Sequence, residues 1–160
     1  MKIAFGYKMR SGKDTSVDYL IEKYGGKKIT FAKPLYDALY KVQDTFHLQK
    51  EKDRPFLQLV GDWAREKDEN IFVNLALKSK IDGNNFCNDL RFLNEFQTLK
   101  KDGWICVKIL KNTGLPPSNH KSENELDLIK DEEWDYIVDN NGSFQELYNQ
   151  LDDIVVSVLN

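Results

Sequence analysis

The chain has 160 residues, 41% hydrophobic and 12% aromatic, enough for one domain (1–160) with a real core and too apolar for a disordered segment. Its net charge of -3 excludes a general nucleic-acid surface, and no apolar run is long enough to cross a bilayer. The two cysteines, Cys87 and Cys106, fall on predicted neighbouring strands without metal-ligand spacing and read as buried thiols of a reducing cytosol.

The first element is a short apolar strand, Ile3 to Phe5, too short for a secretory signal, so a cytoplasmic location is expected. A loop of small and basic residues follows from Gly6 to Lys13. Helical spacing starts at Asp14, with Val17, Leu20, Ile21 and Tyr24 on one face. Strand, glycine loop, Gly12-Lys13 and helix make a phosphate-binding loop, in which backbone N–H groups and the helix dipole face an anion. Two positions depart from the usual pattern: Tyr7 stands where a glycine is expected, and Asp14 where a Ser or Thr would bind Mg²⁺, with the hydroxyl one later at Thr15. Gly25-Gly26 ends the helix, and Lys28 to Phe31 reads as a second strand.

Residues 33–80 form a run of helices. Pro34 suits the first turn of a helix with Leu35, Ala38, Leu39, Val42 and Phe46 inside. Pro55 starts another, with Phe56, Leu59, Val60 and Trp63 inside and Gln58, Asp62 and Arg65 outside. Ile71 to Lys78 is a third. The strand Asn85 to Leu90 ends in Asp89-Leu90-Arg91, charged groups at the strand end where open α/β sheets bind ligands. The helix with Phe92, Phe96 and Leu99 closes at Asp102-Gly103, and Trp104 to Leu110 is a strong strand. The loop 111–121 is lid-like. Ser122 and Glu125 fit a capping box, as do Ser143 and Glu146 at the head of the last helix, after the strand Asp135 to Asp139. Alternating strands and helices predict a three-layer α/β/α fold with a mainly parallel sheet of about five strands.

Several segments in order resemble the deoxynucleoside monophosphate kinases of the phage and bacterial P-loop kinase family. They are Arg10-Ser11-Gly12-Lys13-Asp14-Thr15, the helix Leu57 to Glu66, Asp89-Leu90-Arg91-Phe92-Leu93-Asn94-Glu95, His120-Lys121-Ser122-Glu123 and the tail Trp134 to Gly142. Leu93 stands where that family often has proline, and the chain is short for the group. The phosphate-loop, Asp-x-Arg and Ser-Glu motifs are also similar to those of the animal-type phosphomevalonate kinases. The resemblance implies the P-loop kinase fold and an ATP- and Mg²⁺-dependent kinase of nucleotide metabolism, with ATP and a deoxynucleoside monophosphate as small-molecule substrates and no nucleic-acid polymer or membrane partner. A homodimer stays open, as do a phosphomevalonate-type kinase and a non-catalytic nucleotide sensor. No Asn-Lys-x-Asp motif suggests a GTPase switch.

Phosphoryl transfer between phosphates needs charge neutralisation and alignment more than covalent help. On this reading Ser11, Gly12, Lys13, Asp14 and Thr15 bind ATP, with Lys13 between its outer phosphates. Arg10 and Arg91 clamp the transferring group, and Asp89 or Asp14 stands near Mg²⁺. Asp14 equally fits a helix's first turn, and Asp89 a cap on the segment from Phe92. Lys33, Gln58, Trp63 and Arg65 are the acceptor-site candidates in the helical insertion. Trp63 also suits core packing, and Arg65 a solvated helix face. His120 suits a loop contact or a cap, and His47 the surface.

Overall fold

The first strand, β1 (Lys2–Gly6), carries three consecutive residues, Ile3, Ala4 and Phe5, with no solvent exposure on either face. Such a strand needs partners on both edges and helices on both sides. A computed structural model of the chain describes residues 1–116 and 121–160. The other strands are β2 (Lys27–Ile29), β3 (Asn85–Leu90), β4 (Ile105–Leu110) and β5 (Tyr136–Asp139). Their order is β2-β3-β1-β4-β5, every pair parallel.

Alternation along the strands sorts the two faces. Ile3, Phe5, Phe86, Val107, Ile109 and Val138 pack against α1 (Lys13–Tyr24) and α7 (Phe144–Leu159). Ala4, Cys87, Leu90 and Cys106 pack on the other side with α4 (Ile71–Lys78), α5 (Leu93–Lys101), Trp104 and Trp134. Ser143 and Glu146 cap α7 reciprocally, as their spacing predicts. The cysteines are not on neighbouring strands: both lie opposite Ala4, with β1 between them. They are free and buried, and burial pushes Cys106 up to about 12 and Cys87 well above its ordinary value, so both thiols are inert.

The helical insertion is where sequence periodicity misleads. In α2 (Lys33–Thr45) the buried ridge is Leu35, Leu39 and Gln43, spaced by four, while Val42 and Phe46 face outward. Gln43 is tolerated inside because its amide exchanges hydrogen bonds with the Glu51 backbone at 2.9 and 3.3 Å. In α3 (Arg54–Lys67) the inner face is rotated from that predicted. Gly61 and Ala64 are buried, whereas Leu59 is 72% and Trp63 58% exposed. A Cβ on Gly61 would crowd Arg65 Nη1 at 3.0 Å, while Leu35 Cδ1 of α2 would lie at an ordinary contact of 3.5 Å.

Past β4, the short helix α6 (Lys121–Asn124) begins one residue before the predicted cap at Ser122. The Glu125 carboxylate accepts the Leu93 N–H at the head of α5 and pairs with Lys121. Two 3-10 turns, Glu125–Leu128 and Asp131–Glu133, then lead into β5. No described helix is long and apolar enough to cross a membrane.

Candidate active site

All five strands run the same way, so the segments leaving their C-terminal ends gather at one edge. There the phosphate loop joins β1 to α1. Gly12 sits at φ +108°, and a Cβ there would collide with Asn140 Nδ2, so only glycine fits. Asn140, just past β5 and buried, donates to the Ser11 carbonyl at 2.8 Å and holds the loop from below. Helix α1 starts without a side-chain cap, so its first N–H groups are left for an anion. The Lys13 side chain is folded back into the loop. Its Nζ donates to the carbonyls of Lys8 (2.5 Å) and Tyr7 (3.1 Å) and lies 3.4 Å from Ser11 Oγ.

Tyr7 has φ +101°, the backbone conformation for which glycine is usual at this position. Its ring explains why tyrosine persists. The Lys108 Nζ stands 4.3 Å over the ring, and burial and the nearby Asp127 carboxylate push the phenol's pKa up. Lys108, itself buried on β4, pairs with Asp131 at 2.7 Å, and Lys8 with Asp127 at 2.5 Å. Side-chain contacts thus tie the phosphate loop to the turns beyond the lid-like loop. Positive φ costs a residue with a Cβ about 1–2 kcal/mol, while the ring's cation contact contributes about 0.5–2 kcal/mol. Tyr7→Ala keeps the strain and loses the ring; Tyr7→Gly loses the ring alone. We expect the alanine variant to be the less stable by about 1 kcal/mol in denaturant unfolding, reversing the usual order of these residues in strands.

Beside the loop lies a cavity of about 180 Å³. Met9 of the loop forms one wall. Phe31, Leu35 and Tyr36 line it from the α2 side, Arg54, Leu57, Gln58, Asp62 and Arg65 from α3, and Asp89, Arg91, Phe92 and Glu95 from the β3–α5 corner. The Arg65 guanidinium is stacked 3.9 Å from the Phe92 ring centre and 4.6 Å from that of Phe72, and its Nη2 lies 3.7 Å from Glu95 Oε1. Burial lowers its pKa, opposed by Glu95. Glu95 is 2% exposed, its other oxygen accepting the Arg91 and Phe92 N–H groups at 3.0 and 3.1 Å, and burial pushes its pKa up to about 7.

The sequence-predicted residues divide accordingly. Gln58, Arg65, Asp89 and Arg91 come together in the cavity, and Ser11, Gly12, Lys13, Asp14 and Thr15 in the loop. Lys33 and Trp63 fall outside the cavity lining: Lys33 pairs with Asp37 on the solvent side of α2, and Trp63 projects from the outer face of α3, neither core nor cavity. Arg10 is exposed at the loop tip with φ +61°. Asp89 does not cap the segment from Phe92, whose first two N–H groups go to Glu95 and Glu125. Its two oxygens accept the N–H groups of Phe31 (3.0 Å) and Ala32 (2.9 Å) at the entry to α2. Asp14 is exposed at the head of α1, hydrogen-bonded by Asn88 and 3.4 Å from Lys28 Nζ. His120, with 117–119 of the lid-like loop, lies outside the described residues; His47 is exposed as expected. Tyr36, Arg54 and Lys108 carry no motif of their own. Glu95 closes the Asp89-to-Glu95 segment of the resemblance with no role assigned to it, and its one local signal is its place three after Phe92, where a helix's third residue reaches back to its start.

The order of strands and the loop after β1 match solved kinases along nearly the whole chain. Shikimate kinase from Acinetobacter baumannii superposes with TM-score 0.57 at 14% identity, covering 99% of this chain and 92% of that one. A gluconokinase from Sinorhizobium meliloti 1021 gives 0.53 at 13%, covering 99% and 95%. Dephospho-CoA kinase from Campylobacter jejuni gives 0.50 at 18%, covering 99% and 98%. The chain has the P-loop kinase fold. Among proteins similar in sequence, "Uncharacterized protein ORF77" of Ictalurid herpesvirus 1 (strain Auburn) is 35% identical over 141 residues, 81% of this chain. The chain spans 60% of that relative's length. "Putative deoxynucleotide monophosphate kinase" of Acanthamoeba polyphaga mimivirus is 29% identical over 175 aligned positions, 88% of this chain and 89% of that protein. No protein-family model matches.

Proposed function

We propose that this protein transfers the γ-phosphoryl group of ATP to the phosphate of a deoxynucleoside monophosphate. The observation that carries the reading is the cavity against Met9 of the phosphate loop, lined by Arg65 and Arg91 together with the rings of Phe31, Tyr36 and Phe92. Arginines suit a phosphate and aromatic walls suit a base. The name borne by the mimivirus relative supports the same substrate class.

In the transfer, an oxygen of the acceptor phosphate attacks the γ-phosphorus, the bond to the bridging β–γ oxygen breaks, and ADP leaves. The backbone N–H groups of Gly12 to Thr15 bind the donor's phosphates. Lys13 exchanges the Tyr7 and Lys8 carbonyls for phosphate oxygens. Arg91 and Arg65 hold the acceptor from the cavity side, with Arg10 reaching in from the loop tip. A magnesium ion is held chiefly by substrate phosphates and water, with one or two carboxylates, so the lack of a three-carboxylate cluster among the described residues does not count against it. Asp14, exposed at the head of α1, is open to a hydrated ion, whereas both Asp89 oxygens are already engaged by backbone N–H groups. When bound, the ion would neutralise charge on the phosphates. The helices 33–80 form the acceptor wall.

A panel of deoxynucleoside monophosphates, ribonucleoside monophosphates and mevalonate phosphate, each with ATP and magnesium, tests this by acceptor-dependent ADP release. The expected result is turnover of deoxynucleoside monophosphates with discrimination among bases. Turnover of mevalonate phosphate alone, or ATP binding without any transfer, overturns it.

A further inference from the structure

Arg65 borders two cavities. On one side is the acceptor cavity, which Glu95 also lines. On the other is a cleft lined by Glu66, Glu69, Glu125 and Lys121, the last two paired, which Glu95 does not reach. Asp62 borders both. The charges of Asp62 and Glu125 act on the guanidinium as well as that of Glu95. A long side chain between two sets of carboxylates has two resting places, and a phosphate is bound only when the guanidinium rests on the acceptor side.

We propose that Glu95 is a positioning residue that holds Arg65 on the acceptor side against the pull of the acidic cleft, and so sets acceptor affinity. Resting on the proposed function, it assigns that reaction a residue that does not itself touch substrate. Its two oxygens have separate duties. One accepts the Arg91 and Phe92 N–H groups and so fixes the corner that carries Arg91 and the Phe92 ring. The other lies 3.7 Å from Arg65 Nη2. The Phe92 and Phe72 rings lie 3.9 and 4.6 Å from the guanidinium carbon and pack against it. Corner, ring and counter-charge all depend on this one buried carboxylate. Of the other two carboxylates that line the cavity, Asp89 is occupied by the Phe31 and Ala32 N–H groups, and Asp62 borders the acidic cleft as well, so neither draws Arg65 to the acceptor side alone.

Glutamine separates the duties. In Glu95→Gln the amide oxygen still accepts the two backbone N–H groups, while the NH₂ group faces Arg65 and cannot hold it. We expect the KM for the best monophosphate of the panel to rise about tenfold, with the KM for ATP within about twofold of wild type. Adding Glu125→Gln, which can still accept the Leu93 N–H but no longer attracts the guanidinium, should recover part of that loss. Arg65→Lys should show the acceptor defect alone, and adding Glu95→Gln to it should cost no more than about twofold further. Calorimetric binding of the same monophosphate without ATP gives a second readout. If the wild type binds it but transfers nothing, the kinase reading fails while a raised Kd in Glu95→Gln still supports the positioning role. If the wild type transfers and Glu95→Gln leaves the acceptor KM unchanged, or raises both KM values together, the positioning role fails and the kinase reading stands. If Glu95→Gln does not fold, additive losses from Arg65→Lys and Glu125→Gln would overturn the positioning role, and partial rescue of Arg65→Lys by Glu125→Gln would support it.

Discussion

Lys13→Met is expected to lower turnover roughly 10²–10³-fold, the loss typical of removing one preorganised donor aimed at developing charge. Lys13 is 5% exposed, and its ammonium is held by two loop carbonyls near a serine hydroxyl. Methionine keeps the stem's volume and removes the charge, so the strand and helix on either side have no reason to move. Melting temperature should change by no more than a few degrees, since the Tyr7 and Lys8 carbonyls border the loop and water can reach them. The ATP KM should rise with the fall in kcat, because the ammonium meets phosphate oxygens in both the ground and the transition state. Steady-state ADP release checks this. Turnover within about tenfold of wild type would remove Lys13 from the chemistry and leave the loop as a binding cradle.

The phosphate loop was legible because its signal is local. A strand, a Gly-Lys pair and an amphipathic helix within about twenty residues have few other readings. The β3 boundaries and α4 came out as predicted for the same reason, since Asp82-Gly83-Asn84 and Asp68 to Asn70 punctuate them. The acceptor side was harder. Helix α3 carries two apolar stripes, and hydrophobicity alone favours Phe56, Leu59 and Trp63. The packing buries Gly61 and Ala64 instead, and the missing Cβ of Gly61 leaves room for the Arg65 guanidinium. That rotation of the helix put Arg65 and Gln58 inside and Trp63 outside, opposite to the predicted faces. Helix α2 misled likewise, burying Gln43 where Val42 was expected, since the amide finds backbone partners in the connector at Glu51. Glu95, Lys108 and Asp127 act through partners far away in sequence, and one-dimensional spacing carries no trace of such pairs.

Asp89→Ala is expected to destabilise the protein by about 2–5 kcal/mol, more than any surface change, by leaving two backbone donors unmatched at about 1–3 kcal/mol each. The carboxylate joins the end of β3 to the turn before α2 through the Phe31 and Ala32 N–H groups, and the Cys87 thiol lies 3.4 Å from Oδ1. Phe31, Ala32, Leu35 and Tyr36 line the cavity, so loosening this turn should raise the acceptor KM as well. Asp89→Asn keeps one acceptor oxygen and turns an NH₂ towards the other donor, and should cost about half as much. Burial holds the Asp89 pKa above its ordinary value of 3.8, outweighing the two backbone hydrogen bonds and the nearby Arg91 charge. The folded state therefore keeps a proton that the unfolded chain releases. Stability from this group is full below pH 3.8 and is lost as pH rises through the folded value. Asparagine has no such proton, so the deficit of Asp89→Asn relative to wild type should shrink as pH rises from about 4 towards 7. Urea unfolding of both proteins across that range measures it. A deficit that grows with pH would mean that the carboxylate is stabilised as an anion, the two backbone hydrogen bonds and the Arg91 charge outweighing burial.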